Sequence, residues 1–417
     1  MKIIDVCEFY SEQGVGVRTY VHRKLEAGQR AGHDVLIVAT GAEDREEPLL
    51  GGRIRWVASP RLPLDPRYHV LSLQRAVHDV LDAEGPDLIE ASSPWLGGRF
   101  VARYAKPTPR TLVFHQDAAA VYPQTFLDGM FSPPFIERMV RPYWRYLERL
   151  TSAFDRTIVA GDWLKERVQT YGIQRPHTVR FGIEKELFYP ERRSEMLRHS
   201  LLAKCGLSSR ARLLVAVGRH HPEKRLSTLI EATRLARQLG QDVGLVIFGD
   251  GPQRARVERQ ARRAGHVHVA GFARDRDSLA NAVASADVFV HGSSAETYGL
   301  VVAEAVACGL PVVVPHTGGA ADLARDRYSE KYRPGDATDC AHALARILAR
   351  DPAALREGAL HGRQHVVRDV KEHFTELFAT YEQLVATGRQ HAENRVLRAR
   401  PGQGTRQPLA GRSRQAA

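Results

Sequence analysis

Apolar positions along this chain fall into two alternating patterns. Short apolar runs near 2–7, 34–39, 54–57, 87–90, 110–114, 156–160 and 177–181 read as strands, and helical spacing at 15–31, 68–83, 135–151 and 162–171 fills several of the gaps. The second half repeats the scheme, with strands at 213–217, 243–248, 267–270, 286–290 and 311–315. Strands alternating with helices predict parallel sheets covered on both faces, so the pattern implies two doubly wound, Rossmann-like α/β domains. The join is expected near Phe181-Gly182-Ile183-Glu184, giving domains over 1–183 and 184–371. Phe374, Leu377, Phe378, Tyr381 and Leu384 then form one apolar face of helical period over about 372–387.

Composition narrows the class. A length of 417 residues exceeds one ordinary core, and 43% hydrophobic with 26% charged residues is the balance of a soluble globular protein. No apolar run has the length of a membrane span, and Asp5 and Glu8 interrupt the first apolar stretch, which reads as a strand and not a signal peptide. Cys7, Cys205, Cys308 and Cys340 lie far apart without metal-type spacing, as in a cytoplasmic protein with reduced thiols. The net charge of +12 raises nucleic acid or an anionic membrane as partners. From Gly388 onward, however, seven arginines face one acid, Glu393, so +6 of the excess lies in a segment, 388–417, with little to bury and the composition of a disordered tail. No groove-reading motif accompanies the charge, which makes nucleic acid an unlikely partner.

Candidate chemistry concentrates between His291 and Gly319. An apolar strand leads into a small-residue loop with Glu296; a helical pattern runs from about Gly299 to Cys308; a strand and the pair Gly318-Gly319 follow. That layout builds a ligand cleft at the carboxyl ends of a parallel sheet. Glu296 and Glu304 are eight positions apart, which on a continuous helix is roughly 12 Å of rise. The amides of Tyr298, Gly299 and Leu300 would open the helix and suit a phosphate. A surface helix bearing two glutamates is the plain alternative.

The run Glu296-Thr297-Tyr298-Gly299 to Glu304-Ala305-Val306-Ala307-Cys308-Gly309-Leu310-Pro311-Val312 follows the pattern E-x-(F/Y)-G-x4-E-A-x-A-x-G-x-P-V. It resembles the retaining family-four glycosyltransferases of the GT-B fold, in which two Rossmann-like domains face each other across a cleft. Gly218-Arg219-His220-His221-Pro222-Glu223-Lys224 is similar to the family's G-R-x3-E-K segment, whose arginine and lysine clamp the donor diphosphate. Fixed cations there stabilise the charge that grows on a leaving nucleotide. The resemblance implies catalytic roles for Arg219, Lys224, Glu296 and His115, and donor contacts at Gly14, Gly16, Gly218, Gly271, Thr297, Tyr298, Gly299, Leu300 and Glu304. His115 ends the strand 110–114, where a neutral imidazole can bond a sugar hydroxyl; a purely structural histidine is the alternative, and Asp117 could orient it.

Three segments depart from the family. Phe181 stands in place of an asparagine in N-G-(V/I)-D-x3-F, Gln13 replaces the first of a glycine pair, and Asp322 replaces the glutamate of G-G-x-x-E. Gln13-Gly14-Val15-Gly16 lacks the third glycine and the later acid of a dinucleotide fingerprint, which leaves a donor or acceptor loop or a plain tight turn. Asp275-Arg276-Asp277 has a metal-binding spacing but precedes a helix, where capping is its expected role. Arg138, Arg141, Arg145 and Arg149 form a stripe on one helical face: a solvated core helix, or a surface for anionic lipid. The apolar approach Phe126 to Phe135 keeps a lipid-linked acceptor open.

The resemblance implies transfer of a hexosyl group from a UDP- or GDP-linked sugar to a glycan or lipid-linked acceptor, with the α-configuration retained and no obligatory cofactor or metal. The last helix would cross back onto the first domain. A nucleotide-sugar epimerase, hydrolase or phosphorylase on the same fold is the nearest alternative. The implied site is cytoplasmic, with the inner face of the membrane open as its place of work.

Overall fold

The computed structural model describes residues 1–12, 16–62, 68–115, 117, 123 and 133–399, and the side chains of all of these except 133, 134 and 389–399. Eight strands form the first sheet: β1 (Lys2–Val6), β2 (Asp34–Gly41), β3 (Arg45–Leu49), β4 (Gly52–Ala58), β5 (Leu88–Ala91), β6 (Arg110–Phe114), β7 (Arg156–Val159) and β8 (Pro176–Thr178). Their order is β3-β4-β2-β1-β5-β6-β7-β8, parallel except for β3. After the two-residue β9 (Gly182–Ile183), a second parallel sheet contains β10 (Arg212–Val217), β11 (Val243–Phe248), β12 (Val267–Gly271), β13 (Val288–Val290), β14 (Val312–Pro315) and β15 (Ser329–Tyr332), in the order β12-β11-β10-β13-β14-β15. Strand order reverses between β1 and β5 in one sheet and between β10 and β13 in the other, and ligands bind at such switch points.

Each sheet buries an apolar layer on both faces. In the first, Ile4, Leu36, Ile89 and Leu112 pack on one side, and Ile3, Val35, Ile37 and Val113 on the other. Phe374, Leu377, Phe378 and Tyr381 join the second of these layers, so the last helix does cross back onto the first sheet. A two-strand pairing of β9 with β16 (Arg368–Asp369) marks the point where the chain changes over and returns.

Beneath that helix lies a wholly buried ionic group. Asp5 and Glu90 are cross-strand partners on β1 and β5, so two carboxylates stand side by side in the core. Lys24, from the helix Gly16–Arg30, reaches both, 2.9 Å from Asp5 and in close contact with Glu90, while Tyr381 donates its hydroxyl to Glu90 at 2.5 Å. Ser92 donates to Asp5 at 2.7 Å. One ammonium and two hydroxyls thus satisfy charges that would otherwise be very costly to bury.

Several expectations need correction. The helix expected over 135–151 is two, Pro133–Met139 and Arg141–Thr151; Pro142 lacks an N–H and its ring crowds the preceding turn, so the ladder restarts. The helix expected from 68 begins at Gln74, after a bridge between Arg61 and His69. Strands β3, with the sequence REEPL, and β15, SEKY, are edge strands too polar to show as apolar runs. The final helix continues to Ala399, so 388–399 is helical where a disordered tail was expected; 400–417 lie outside the described residues.

Candidate active site

Lys224 and Glu296 meet at the switch point of the second sheet. Lys224 lies in the tight turn Pro222–Lys224 after β10, and Glu296 in the loop after β13, the neighbouring strand. The Lys224 ammonium donates to Glu296 Oε1 at 2.5 Å and lies 3.6 Å from Glu223. Burial opposes charge on Lys224, yet the two glutamates outweigh it and raise its pKa. Burial likewise opposes charge on Glu296, but Lys224 and His291 hold that carboxyl below its usual range. Glu296 is therefore an ionised, paired carboxylate.

Backbone shape makes these loops fit. Gly249 (φ 127°) turns the chain after β11, and a Cβ there would come 2.0 Å from the Gly218 carbonyl oxygen, so the Arg219 loop can rest on it. Gly299 (φ 90°) caps the helix Leu300–Ala307 in the left-handed region. Glu296 lies in the loop before this helix and Glu304 within it, as the sequence pattern placed them. The Gly319 N–H donates to the Glu296 carbonyl at 2.7 Å, which gives Gly318-Gly319 a structural task beneath the loop.

Across the cleft, Thr297 Oγ1 donates to the backbone carbonyl of His115 at 3.0 Å, joining the loop after β13 to the end of β6. His115 stacks parallel to Phe181 (5.8 Å between centroids, 6°) and meets Tyr20 edge-on. Burial lowers its pKa to about 4, so its imidazole is neutral. A cavity of about 360 Å³ opens here between the two sheets, and Gly16, His115, Leu300 and Glu304 all line it.

Against this geometry, a model for "Glycosyl transferases group 1" matches residues 200–359, and one for "Glycosyltransferase Family 4" matches 15–187. A GDP-mannose-dependent alpha-mannosyltransferase of Mycobacterium tuberculosis is 35% identical over 339 residues, covering 78% of this chain and 81% of that protein. The chain belongs to glycosyltransferase family 4. A second M. tuberculosis relative, a GDP-mannose-dependent alpha-(1-6)-phosphatidylinositol dimannoside mannosyltransferase, is 28% identical over 325 residues, with 78% and 81% covered. Among solved structures, a sucrose-phosphate synthase from Thermosynechococcus elongatus superposes with a TM-score of 0.71 at 22% identity, covering 93% of this chain and 100% of that one. The fold is GT-B, and the protein is a retaining glycosyltransferase with a nucleotide sugar as co-substrate.

In this glycosyltransferase, Glu304 sits in an unusual field. Burial raises its carboxyl to about 7, against the pull of Arg276, whose guanidinium lies 3.5 Å away. Arg276 also pairs with Glu184 at 2.7 Å, and Glu184 contacts Arg23 of the first sheet's helix, so an alternating row of charges lines the cavity.

Not every expected residue enters this arrangement in the same way. Arg219 is solvent-exposed and makes no ion pair among the described residues. Arg219, Lys224 and Glu296 are not among the residues that line the cavity. Tyr298 is buried, its ring edge-on to Phe181, and Gly271 ends β12. Gly14, like 126–132 of the apolar approach, lies outside the described residues. Asp117 is taken by Arg167. Asp275 caps its helix, accepting from Ser278 N at 2.6 Å. Asp322 accepts from the Trp163 N–H at 2.8 Å, so the family departure serves a contact between the two halves of the chain. His291 escaped sequence reasoning: it is buried beside Glu296 at 3.6 Å, with burial lowering it to about 4. Its position at the end of a strand was the available signal, the same one that pointed to His115.

Proposed function

We propose that this glycosyltransferase moves mannose from GDP-mannose to a lipid-linked acceptor, with retention, on the cytoplasmic face of a membrane. The observation that carries the donor assignment is the 35% identity, across most of both chains, to a GDP-mannose-dependent enzyme. The 28% identical relative, which acts on a phosphatidylinositol dimannoside, supports a glycolipid acceptor.

In this reading residues 1–183, with the returning helix, serve the acceptor, and 184–371 hold the donor. Arg219 and Lys224 stabilise the departing diphosphate, together with the amides at Gly299 and Leu300. Gly16, Gly218 and Gly271 let the backbone approach the donor, Gly14 takes the same part from the sequence alone, and Thr297 and Tyr298 fix the loop. Glu304 accepts from the ribose hydroxyls. Glu296, paired through Oε1 with Lys224, holds sugar hydroxyls and is poorly suited as a nucleophile, because the ammonium beside it lowers its basicity. Neutral His115 bonds a hydroxyl of the transferred sugar. Attack comes from the same face as departure, with the leaving phosphate oxygen taking the acceptor's proton.

No described helix is long and apolar enough to cross a membrane. A peripheral contact fits the helix Arg141–Thr151: Trp144, Leu147 and Leu150 are buried, while Arg141, Arg145 and Arg149 face solvent near exposed Phe135 and Met139. Basic and apolar side chains together suit an anionic lipid surface.

The test is turnover of GDP-mannose, UDP-glucose and ADP-glucose with phosphatidylinositol mannosides in vesicles. GDP-mannose alone should yield an α-linked product by NMR. Preference for a uridine donor would overturn the donor assignment, and equal turnover on detergent-free soluble sugars would overturn the lipid one.

A further inference from the structure

A second cavity, of about 250 Å³, lies at the opposite end of the donor-side sheet from the cleft. It opens at the amino ends of the central strands, where Arg212 begins β10, Asp287 precedes β13 and Pro311 precedes β14. Among the described residues, four arginines line it, Arg193, Arg212, Arg350 and Arg356, against a single lining carboxylate, Asp287.

That carboxylate is already spent. Asp287 is held by Arg198 through paired bonds (2.7 and 3.1 Å) and by Arg193 at 3.2 Å, and it accepts the Leu213 N–H at 2.8 Å. Arg193 also takes Glu195 at 2.7 Å, and Arg350 caps the carbonyls of Asp326 and Arg327, with Glu330 at 3.6 Å. The guanidinium groups of Arg212 and Arg356 have no ion pair or hydrogen bond among the described residues. Arg356 is half-buried, and burial followed by repulsion from Arg193 lowers its pKa against the weaker pull of Asp287 and Glu195. Cations held together in a partly desolvated pocket repel one another unless an anion joins them.

We propose that this cavity is a binding site for a small phosphate-type dianion, free or as a monophosphate ester, gripped by Arg212 and Arg356. The planar fork of arginine matches phosphate oxygens in pairs, and two forks without internal partners supply the donors. Ile347, Leu348 and Leu355 form an apolar wall that would shelter the organic part of an ester. The first amides of the helix Pro352–His365 play no part, because Asp351 already accepts from Ala353 and Ala354. The site is independent of the donor assignment, since none of its residues lies at the cleft.

Inorganic phosphate is the probe, titrated calorimetrically into the full chain. Binding should persist in Lys224→Ala, which alters the cleft, and weaken at least tenfold in Arg356→Gln, with Arg356→Lys between them. Arg212→Gln, at the first residue of β10, supplies the same reading if Arg356→Gln fails to fold. Equal affinity in wild type, Arg356→Gln and Arg212→Gln would overturn the proposal. So would loss of all binding in Lys224→Ala, or no binding by wild type. A wild-type dimer that becomes monomeric in Arg356→Gln without phosphate binding would assign the patch to a protein contact instead.

Discussion

Lys224 Nζ lies 2.5 Å from Glu296 Oε1, and this ion pair joins two loops 72 residues apart at the centre of the second sheet. Neither charge is free before the donor arrives. On the proposed reading, a diphosphate approaching Lys224 shares the ammonium with Glu296, and the sugar hydroxyls that reach Glu296 loosen its hold on the lysine. The pair is therefore a preset element of the site, held until its two partners come in on one molecule.

Removing Lys224 should damage chemistry more than donor binding. Lys224→Ala and Arg219→Ala are each expected to lower turnover by about 10²–10³, equivalent to about 2.7–4 kcal/mol of transition-state stabilisation. Glu296→Gln should slow the reaction without trapping a glycosyl-enzyme. Rates on the identified donor, intact-mass spectra and the product's anomeric configuration by NMR check this. Full turnover in both cation variants, or an inverted product, would defeat the assignment.

Glu304 gives a pH signature. Its carboxyl, raised by burial to about 7, is largely neutral in mildly acidic solution and, on the proposed reading, must ionise to accept from both ribose hydroxyls. Affinity for the free nucleotide should rise as pH goes from about 6 to about 8, with proton release on binding. Stability runs the other way. Between the ordinary carboxyl pKa and about 7 the unfolded chain ionises and the folded one does not, so stability falls as pH rises through that window. Glu304→Gln should flatten both profiles, recovering on the order of 3 kcal/mol of stability at most above pH 7. Calorimetry and urea melts across the range provide the readout.

The buried ionic group should dominate the stability of the first sheet. Lys24→Met leaves Asp5 and Glu90 adjacent without a counter-charge and should cost about 3–5 kcal/mol. Tyr381→Phe removes one hydrogen bond to a charged acceptor, worth about 1.5–3 kcal/mol. Chemical denaturation with separate reporters on the two halves would show the loss in the first half. Wild-type stability in Lys24→Met would mean that the group contributes nothing.

Deleting 400–417 should leave turnover on a short soluble acceptor nearly unchanged. The segment has few apolar residues, and its arginines can act only through charge, so any contribution to work on vesicles should fade with added salt. A large loss on the soluble acceptor would refute this.

Much of the site was legible in the chain. The alternation of apolar runs and helical spacing gave both sheets, because burial on two faces leaves a continuous apolar signature that needs no partner to be read. Glycines at 299 and 318–319, the acids at 296 and 304, and the cations at 219 and 224 stood out because they fall in the order of a known family's motifs, residue types that suit phosphate and sugar hydroxyls. What stayed hidden was long-range or polar. β3 and β15 are edge strands, solvated along one side, and carry no apolar run.

The tertiary structure alone decided who meets whom. Strand order brings β10 beside β13, and only that adjacency turns Lys224 and Glu296 into a pair. Thr297 reaches the His115 carbonyl, Asp322 reaches the Trp163 N–H, and Arg276 stands between Glu184 and Glu304, each across many residues of chain. Lys24, Asp5, Glu90 and Tyr381 look like misplaced polar residues in apolar segments until the last helix returns over β1 and β5. Periodicity reports what a residue's own element buries; charge compensation depends on what other elements bring to the same point, and that information exists only once the sheets are assembled.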